Sequence, residues 1–255
     1  MRNLFLAVAA AAVVAGGVGV GWRAGAADAH NSIAAAVADA ARPQKDRDLD
    51  PERKPADMLE FAGVKPGQTV VDFMPGGGYF TRLFASVVGP KGTVYAFIPS
   101  ELAKLAKTPL PDNGSHPDAA HPFVTAIVAP VDKFAVPTKA DIIWTSQNYH
   151  DLHDPFIGPA DMKAFDAGVY AALKPGGLFI VLDHAAAAGS GVSATNTLHR
   201  IDPAVVKTEV EAVGFKYVGE STVLRNPADP HTALVFDPAI RHHTDQFIFK
   251  FRKPK

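Results

Sequence analysis

The sequence predicts an α/β fold, a doubly wound and mostly parallel seven-stranded sheet with helices on both faces. Short apolar, β-branched runs alternate with stretches of helical periodicity after residue 50. Such alternation requires crossover connections, and these place helices on both sides of a parallel sheet. A glycine-rich turn directly follows the first run, where an open α/β sheet has its ligand crevice. With 255 residues, 47% of them apolar, the chain can bury one such core.

The elements follow in order. Asp50-Pro51 predicts a helix start, with Asp50 as cap and proline at the first helical position, and Gly63 predicts its stop. "QTVVD" is the first strand. Phe80, Leu83, Phe84, Val87 and Val88 then keep helical spacing. "GTVYAFI", "FVTAIVA" and "ADIIWT" read as strands two to four. Met162, Phe165, Val169 and Leu173 mark a helix ended by "KPGG", and "LFIVLD" is the fifth strand. Asp202-Pro203 caps and opens another helix, closed by Gly214; "KYVGESTVL" and "DQFIFKFR" finish the sheet. The turn-rich stretch 108–122 is a long loop.

Upstream, Arg2 precedes an uncharged apolar run from Leu4 to Val20. Ala24-Gly25-Ala26 and Ala27-Asp28-Ala29 then offer small-x-small cleavage sites. Residues 1–29 thus read as a secretory signal peptide, with an uncleaved anchor as the rival, and the folded part as exported. Residues 30–49 are a lead-in segment and 50–255 the domain. The mature chain is expected to hold no stable membrane span. A net charge of −1, with no basic run before the final "KFRKPK", argues against a nucleic-acid partner. The absence of cysteine excludes disulfides, thiolate catalysis and cysteine zinc sites.

The turn "VVDFMPGGGYF" carries the chemistry. Bare backbone after a strand lets a ligand approach the main chain, and amides at the following helix start face its anionic groups. A ligand-free tight turn is the alternative. The dinucleotide fingerprint fails because Thr81 stands where its third glycine or alanine belongs, and no Gly-Lys-Ser/Thr follows to make a P-loop.

"VVDFMPGGGYFTRLFA", "ADIIWTSQNYHDL" and "LKPGGLFIVLDH", in this order, resemble the class I S-adenosylmethionine-dependent methyltransferases, over residue 50 to the C-terminus. More narrowly, "NYHDLHD", "LHRID" and "DQFIFKF" are similar to a bacterial family of predicted exported methyltransferases, which makes the periplasm the expected destination. The resemblance implies a Rossmann-like sheet with an antiparallel last strand and S-adenosyl-L-methionine as cofactor. It implies Asp72, Pro75, Gly76, Gly77 and Gly78 beside the methionine moiety, with Asp72 holding the ammonium or fixing loop amides. Met74 departs from the family, standing where the first motif glycine is expected. Glu101 is the candidate for the ribose hydroxyls, Asp132 for adenine, and Asn148 for a further cofactor contact. Tyr149-His150-Asp151 falls where such enzymes hold the acceptor.

Histidines cluster on loops that this topology turns to one edge: His150, His153, His184, His199, His231, His242 and His243. His150 is the candidate general base, with Tyr149 lining the pocket and His184 beside it. His199, Arg200 and Arg241 are candidates for binding substrate. His150, His153, Asp183 and His184 could instead offer metal ligands, but no complete zinc motif is present and no metal is assigned. The third reading is ordinary capping and surface histidines. "AAAAGSGV", at 185–192, reads as a mobile lid. The expected function is methyl transfer to a small-molecule acceptor. The alternative is an exported, non-catalytic binding protein of the same fold, holding a nucleoside-like ligand or a histidine-bound metal.

Overall fold

The computed structural model describes residues 20–255, with side chains from Asp28 onward. The leader expected over 1–29 thus lies largely outside the described residues. In chain order the elements are α1 (Val20–Ala38), α2 (Gln44–Arg47), α3 (Asp50–Arg53), α4 (Pro55–Ala62), β1 (Thr69–Phe73), α5 (Tyr79–Val88), β2 (Thr93–Pro99), β3 (Val124–Ala129), β4 (Ala140–Ser146), α6 (Met162–Ala172), β5 (Leu173–His184), α7 (Thr195–Leu198), α8 (Pro203–Ala212), β6 (Lys216–Ser221) and β7 (Gln246–Arg252). Among the described residues no helix is long and apolar enough to cross a membrane.

The strands form one sheet in the order β3-β2-β1-β4-β5-β7-β6. Pairing is parallel from β3 to β5, while β7 runs antiparallel to both β5 and β6. After β1 the chain first builds outward through β2 and β3, then returns to lay β4 on the other side of β1. That reversal is the switch point, and the carboxyl ends of β1 and β4 open a crevice there. Each sheet face buries its own core. On one, Phe73, Phe97, Phe165 and Phe179 pack beneath α6 and α8. On the other, Phe80, Phe84, Trp144 and Ile180 pack beneath α4 and α5. Each such side chain contributes roughly 1.5–3 kcal/mol by leaving water. The helical spacing read over 80–88 fits α5, whose Phe80, Leu83, Phe84, Val87 and Val88 are all buried.

Three local expectations change. The helix predicted from Asp50 to Gly63 is broken at Lys54, which takes a left-handed φ of 46° before Pro55 starts α4. Proline disfavours the α conformation in the residue before it. Asp50 is not a cap; its carboxylate receives Arg42 Nη1 at 2.8 Å and Nη2 at 2.7 Å, and the Tyr79 hydroxyl at 2.7 Å. β5 begins at Leu173, ahead of "KPGG", with a register shift against β4 between Ala140 and Ile142. The lead-in segment, readable as a helix or a loose tether, is helical to Ala38, with Ile33 and Ala36 of α1 buried against Leu59 and Phe84.

Candidate functional site

The glycine turn is built on left-handed backbone. Met74 has φ 53°, Gly76 φ 53° and Gly78 φ 78°, the last capping α5. Met74 thus holds a conformation that favours glycine, which costs a side-chain-bearing residue about 1–2 kcal/mol. Two contacts hold it there: its amide donates to the Phe97 carbonyl at 2.8 Å, and its carbonyl accepts from Asn148 Nδ2 at 3.0 Å. A Cβ at Gly76 or Gly77 would meet nothing within 4 Å, whereas one at Gly78 would lie 2.7 Å from Arg82 Nη1. Gly76 and Gly77 therefore present open main chain, and Gly78 is turned toward α5.

A cleft of about 480 Å³ lies over this turn. Asp72, Pro75, Gly76, Gly77, Asn148, His150, His184 and His199 all line it, so the sequence-predicted groups converge. Gln147 (φ 61°) and His199 (φ 53°) are further strained residues on its wall. Such conformations persist where surrounding contacts over-determine them, and they gather at functional sites. An annex of about 170 Å³ continues past His184 to Arg241 and His242. On the far side of Met74-Pro75-Gly76 lies a mainly apolar slot of about 360 Å³, with Ile98, Leu102 and Leu110.

One wall holds Asp72, which accepts the Thr81 hydroxyl at 2.6 Å. Burial pushes its carboxyl up to about 7, against the Thr81 hydrogen bond and the Arg53 charge. The other wall centres on His150. Its Nδ1 meets Asp183 Oδ1 at 2.8 Å, and its amide donates to Asp183 Oδ2 at 2.8 Å. Its Nε2 lies 3.1 Å from Asp151 Oδ1 and 3.2 Å from His199 Nδ1. Burial opposes a charge on His150, but Asp183 and Asp151 outweigh it and push its pKa up to about 10. Burial pushes His184 down to about 3, so it is neutral, with Nδ1 2.7 Å from the Thr244 hydroxyl. The two carboxylates thus favour a proton on His150, where burial disfavours one on His184.

Other candidates are placed elsewhere. Tyr149 does not line the cleft; it is buried in the α6-side core, and its hydroxyl donates toward Asp166 (2.9 Å) and Glu209 (3.1 Å). The turn after β4 sends adjacent residues to opposite faces, so presenting His150 to the cleft buries Tyr149. His153 also faces Glu209, at 3.3 Å, and cannot join His150 and His184 around a metal. Arg200 is not a substrate group. Wholly buried, it pairs with Asp229 at 2.8 Å and donates to the carbonyls of Ala185 and Ala233. Glu101 Oε1 accepts the Val131 amide at 3.1 Å, tying the end of β2 to the end of β3, while Asp132 sits half-exposed 3.5 Å from Lys133. His231 is bound to Asp245 at 3.1 Å, and His243 lies outside the cleft. The stretch 185–192 is pinned: Ala185 and Ala186 are buried, and the Gly189 amide donates to Asp202 Oδ2 at 2.7 Å. Asp202 also caps α8 as expected, accepting from the Ala204 amide at 2.9 Å.

The structure adds residues that the sequence reading missed. Arg53 lines both cleft and annex, stacked over Tyr79 at 4.7 Å and without an ion-pair partner among the described residues. The signal was Pro55, which ends a helix just after this cation. Val235 and Phe236 overhang the cleft from the β6–β7 connection, with Phe236 5.1 Å from the His199 ring.

The fold has counterparts among solved structures. A SAM-dependent methyltransferase from Aquifex aeolicus superposes with a TM-score of 0.51 at 18% identity, over 83% of this chain and 98% of that one. One from Mesorhizobium loti gives 0.51 at 16% identity, over 80% and 99%. The fold is that of the class I methyltransferases. Curated relatives include the ubiquinone/menaquinone biosynthesis C-methyltransferases UbiE of Ectopseudomonas mendocina and Shewanella oneidensis. Each is 30% identical over 129 residues, 49% of this chain and 45% or 46% of theirs. The chain thus spans about half the length of the relatives it matches. No family model matches it.

Proposed function

We propose that this protein transfers the methyl group of S-adenosyl-L-methionine to a small-molecule acceptor held between the glycine turn and His150. The carrying observation is the single cleft in which Asp72, Arg53, Gly76 and Gly77 face His150, Asp151, His184 and His199. Its residues fit the cofactor. Arg53 suits the carboxylate of an amino acid and Asp72 its ammonium, while the open positions at Gly76 and Gly77 let main chain lie against the ligand. The apolar slot beyond Met74 suits a base, although Glu101 and Asp132 do not line it. When bound, the cofactor supplies an electrophilic sulfonium methyl. The chain's own part is positioning and water exclusion: Phe236 and Val235 roof the cleft, and His150, fixed through Asp183, orients the acceptor and shares its proton with Asp151 and His199.

Calorimetric titration with S-adenosylmethionine and its demethylated product tests this. Saturable binding of both, lost on altering Gly77, is expected. Absence of binding by either would overturn the reading.

Export of the chain is proposed on the same footing, from residues 1–29. Mass spectrometry of the mature protein should find an N-terminus at Ala27 or His30. A cytosolic chain starting at Met1 would refute it. Either expected start keeps Ile33 and Ala36, which pack the lead-in helix against the domain.

A further inference from the structure

We infer that His150, Asp151 and His199 form a binding site for one divalent transition-metal ion on the wall of the cleft. The three facing atoms are His150 Nε2, Asp151 Oδ1 and His199 Nδ1, separated by 3.1, 3.2 and 3.7 Å. Ligands held about 2.1 Å from one ion stand ~3.0 Å apart in octahedral and ~3.4 Å apart in tetrahedral geometry. A triangle with these edges has a circumradius of about 1.9 Å, so an ion ~2.1 Å from all three donor atoms fits just off its plane.

The donor set narrows the ion. Two imidazoles and one carboxylate suit zinc, iron, cobalt or nickel, whereas magnesium and calcium favour oxygen ligands alone. Support for the ligands is in place. His150 turns its other nitrogen to Asp183 at 2.8 Å, the carboxylate–histidine arrangement that fixes a metal-binding ring and raises its basicity. His199 is held by left-handed backbone at the end of α7, a strained conformation that aims its ring at His150. Asp154, fully buried, lies within electrostatic reach of both histidines. His153, engaged by Glu209, takes no part.

All three ligands line the cleft, so the ion's remaining positions open toward the place given above to the acceptor. The role of the site rests on that reading: it would take acceptors bearing a hydroxyl or thiol as an additional ligand. The existence of the site does not depend on it.

The test is to strip the full-length protein with a chelator and titrate it with Zn²⁺ by calorimetry. One ion per chain is expected. Asp151→Asn and His199→Asn, the latter keeping a residue that tolerates left-handed backbone, should each weaken binding at least about tenfold, and Asp183→Asn by roughly 10–100-fold. Absence of stoichiometric binding, or equal affinity in the first two variants, would overturn the proposal. If a variant fails to fold, the unaltered protein decides, since Co²⁺ at one equivalent should show ligand-field bands and their absence would refute the site. S-adenosylmethionine is titrated into the same metal-free and Zn²⁺-loaded samples. Zn²⁺ binding without cofactor binding defeats only the transferase reading, and the reverse defeats only the metal site.

Discussion

Asp72 and Asp183 end neighbouring parts of the same sheet, are both buried, and behave in opposite ways. Burial lifts Asp72 to about 7. Asp183 meets the same desolvation yet stays below the ordinary carboxylate range, because the His150 charge and its hydrogen bonds overcome it. Asp183 accepts two backbone amides and an imidazole, while Asp72 has the Thr81 hydroxyl and the more distant Arg53. Donors, rather than depth, decide which buried acid is ionised. The histidine wall is thus satisfied from within, whereas the glycine wall leaves its buried acid with fewer donors.

The largest expected effect tests the glycine wall. Gly77 has no left-handed φ and open space at its Cβ position, so Gly77→Val should fold normally and lose cofactor affinity by more than about a hundredfold. Retained affinity would show that the ligand lies elsewhere. Gly76, at φ 53°, is a poorer probe, since any side chain there strains the turn. On the opposite wall, His150→Ala should slow turnover by about a hundredfold or more and change cofactor affinity less than about twofold. A parallel loss of both would mean that the walls are not separate.

Asp72→Asn sharpens the electrostatic contrast. Between the ordinary 3.8 and about 7 the folded chain keeps a proton that the unfolded chain has released. Stability attributable to this group therefore falls as pH rises through that window and levels off above it. The variant should flatten that slope in urea denaturation, gain at most ~4 kcal/mol at pH 8, and bind the cofactor about tenfold more weakly there. An unchanged slope would place the titration elsewhere. The smallest effect belongs to Tyr149→Phe, which should cost about 1–2 kcal/mol in thermal unfolding, by unpairing buried Asp166, and leave turnover intact.

What the sequence made legible was local. The β-branched runs found all seven strands, and Asp202-Pro203 found the start of α8 because capping acts over a few residues. The glycine turn and His150 were visible as types tied to a strand end. Tyr149 was misjudged because the neighbours in "NYHD" differ only in which face the turn gives them. Arg200 was misjudged because its partner, Asp229, is remote in the chain, and nothing near Arg200 marks it as buried. Arg53 went unseen because the expected helix ran unbroken from Asp50 to Gly63, whereas the chain turns at Lys54 and leaves Arg53 at the end of α3.

The misjudged arginine has a mechanical meaning. β1 and β4 carry the two walls and are joined by a parallel ladder, Asp72 against Trp144 and Phe73 against Thr145, which resists sliding. The ladder therefore fixes the spacing of the walls, and the irregular span 222–245 contributes Val235 and Phe236 to one edge of the cleft. That span is tied down at Asp229 to Arg200 and at the Val235 amide to the Leu198 carbonyl, and closed on itself by Arg225 with Asp245, so that Phe236 stands exposed over the His199 ring. The aromatic edge of the cleft thus hangs on a strap whose position is set by a buried ion pair lying outside the cleft.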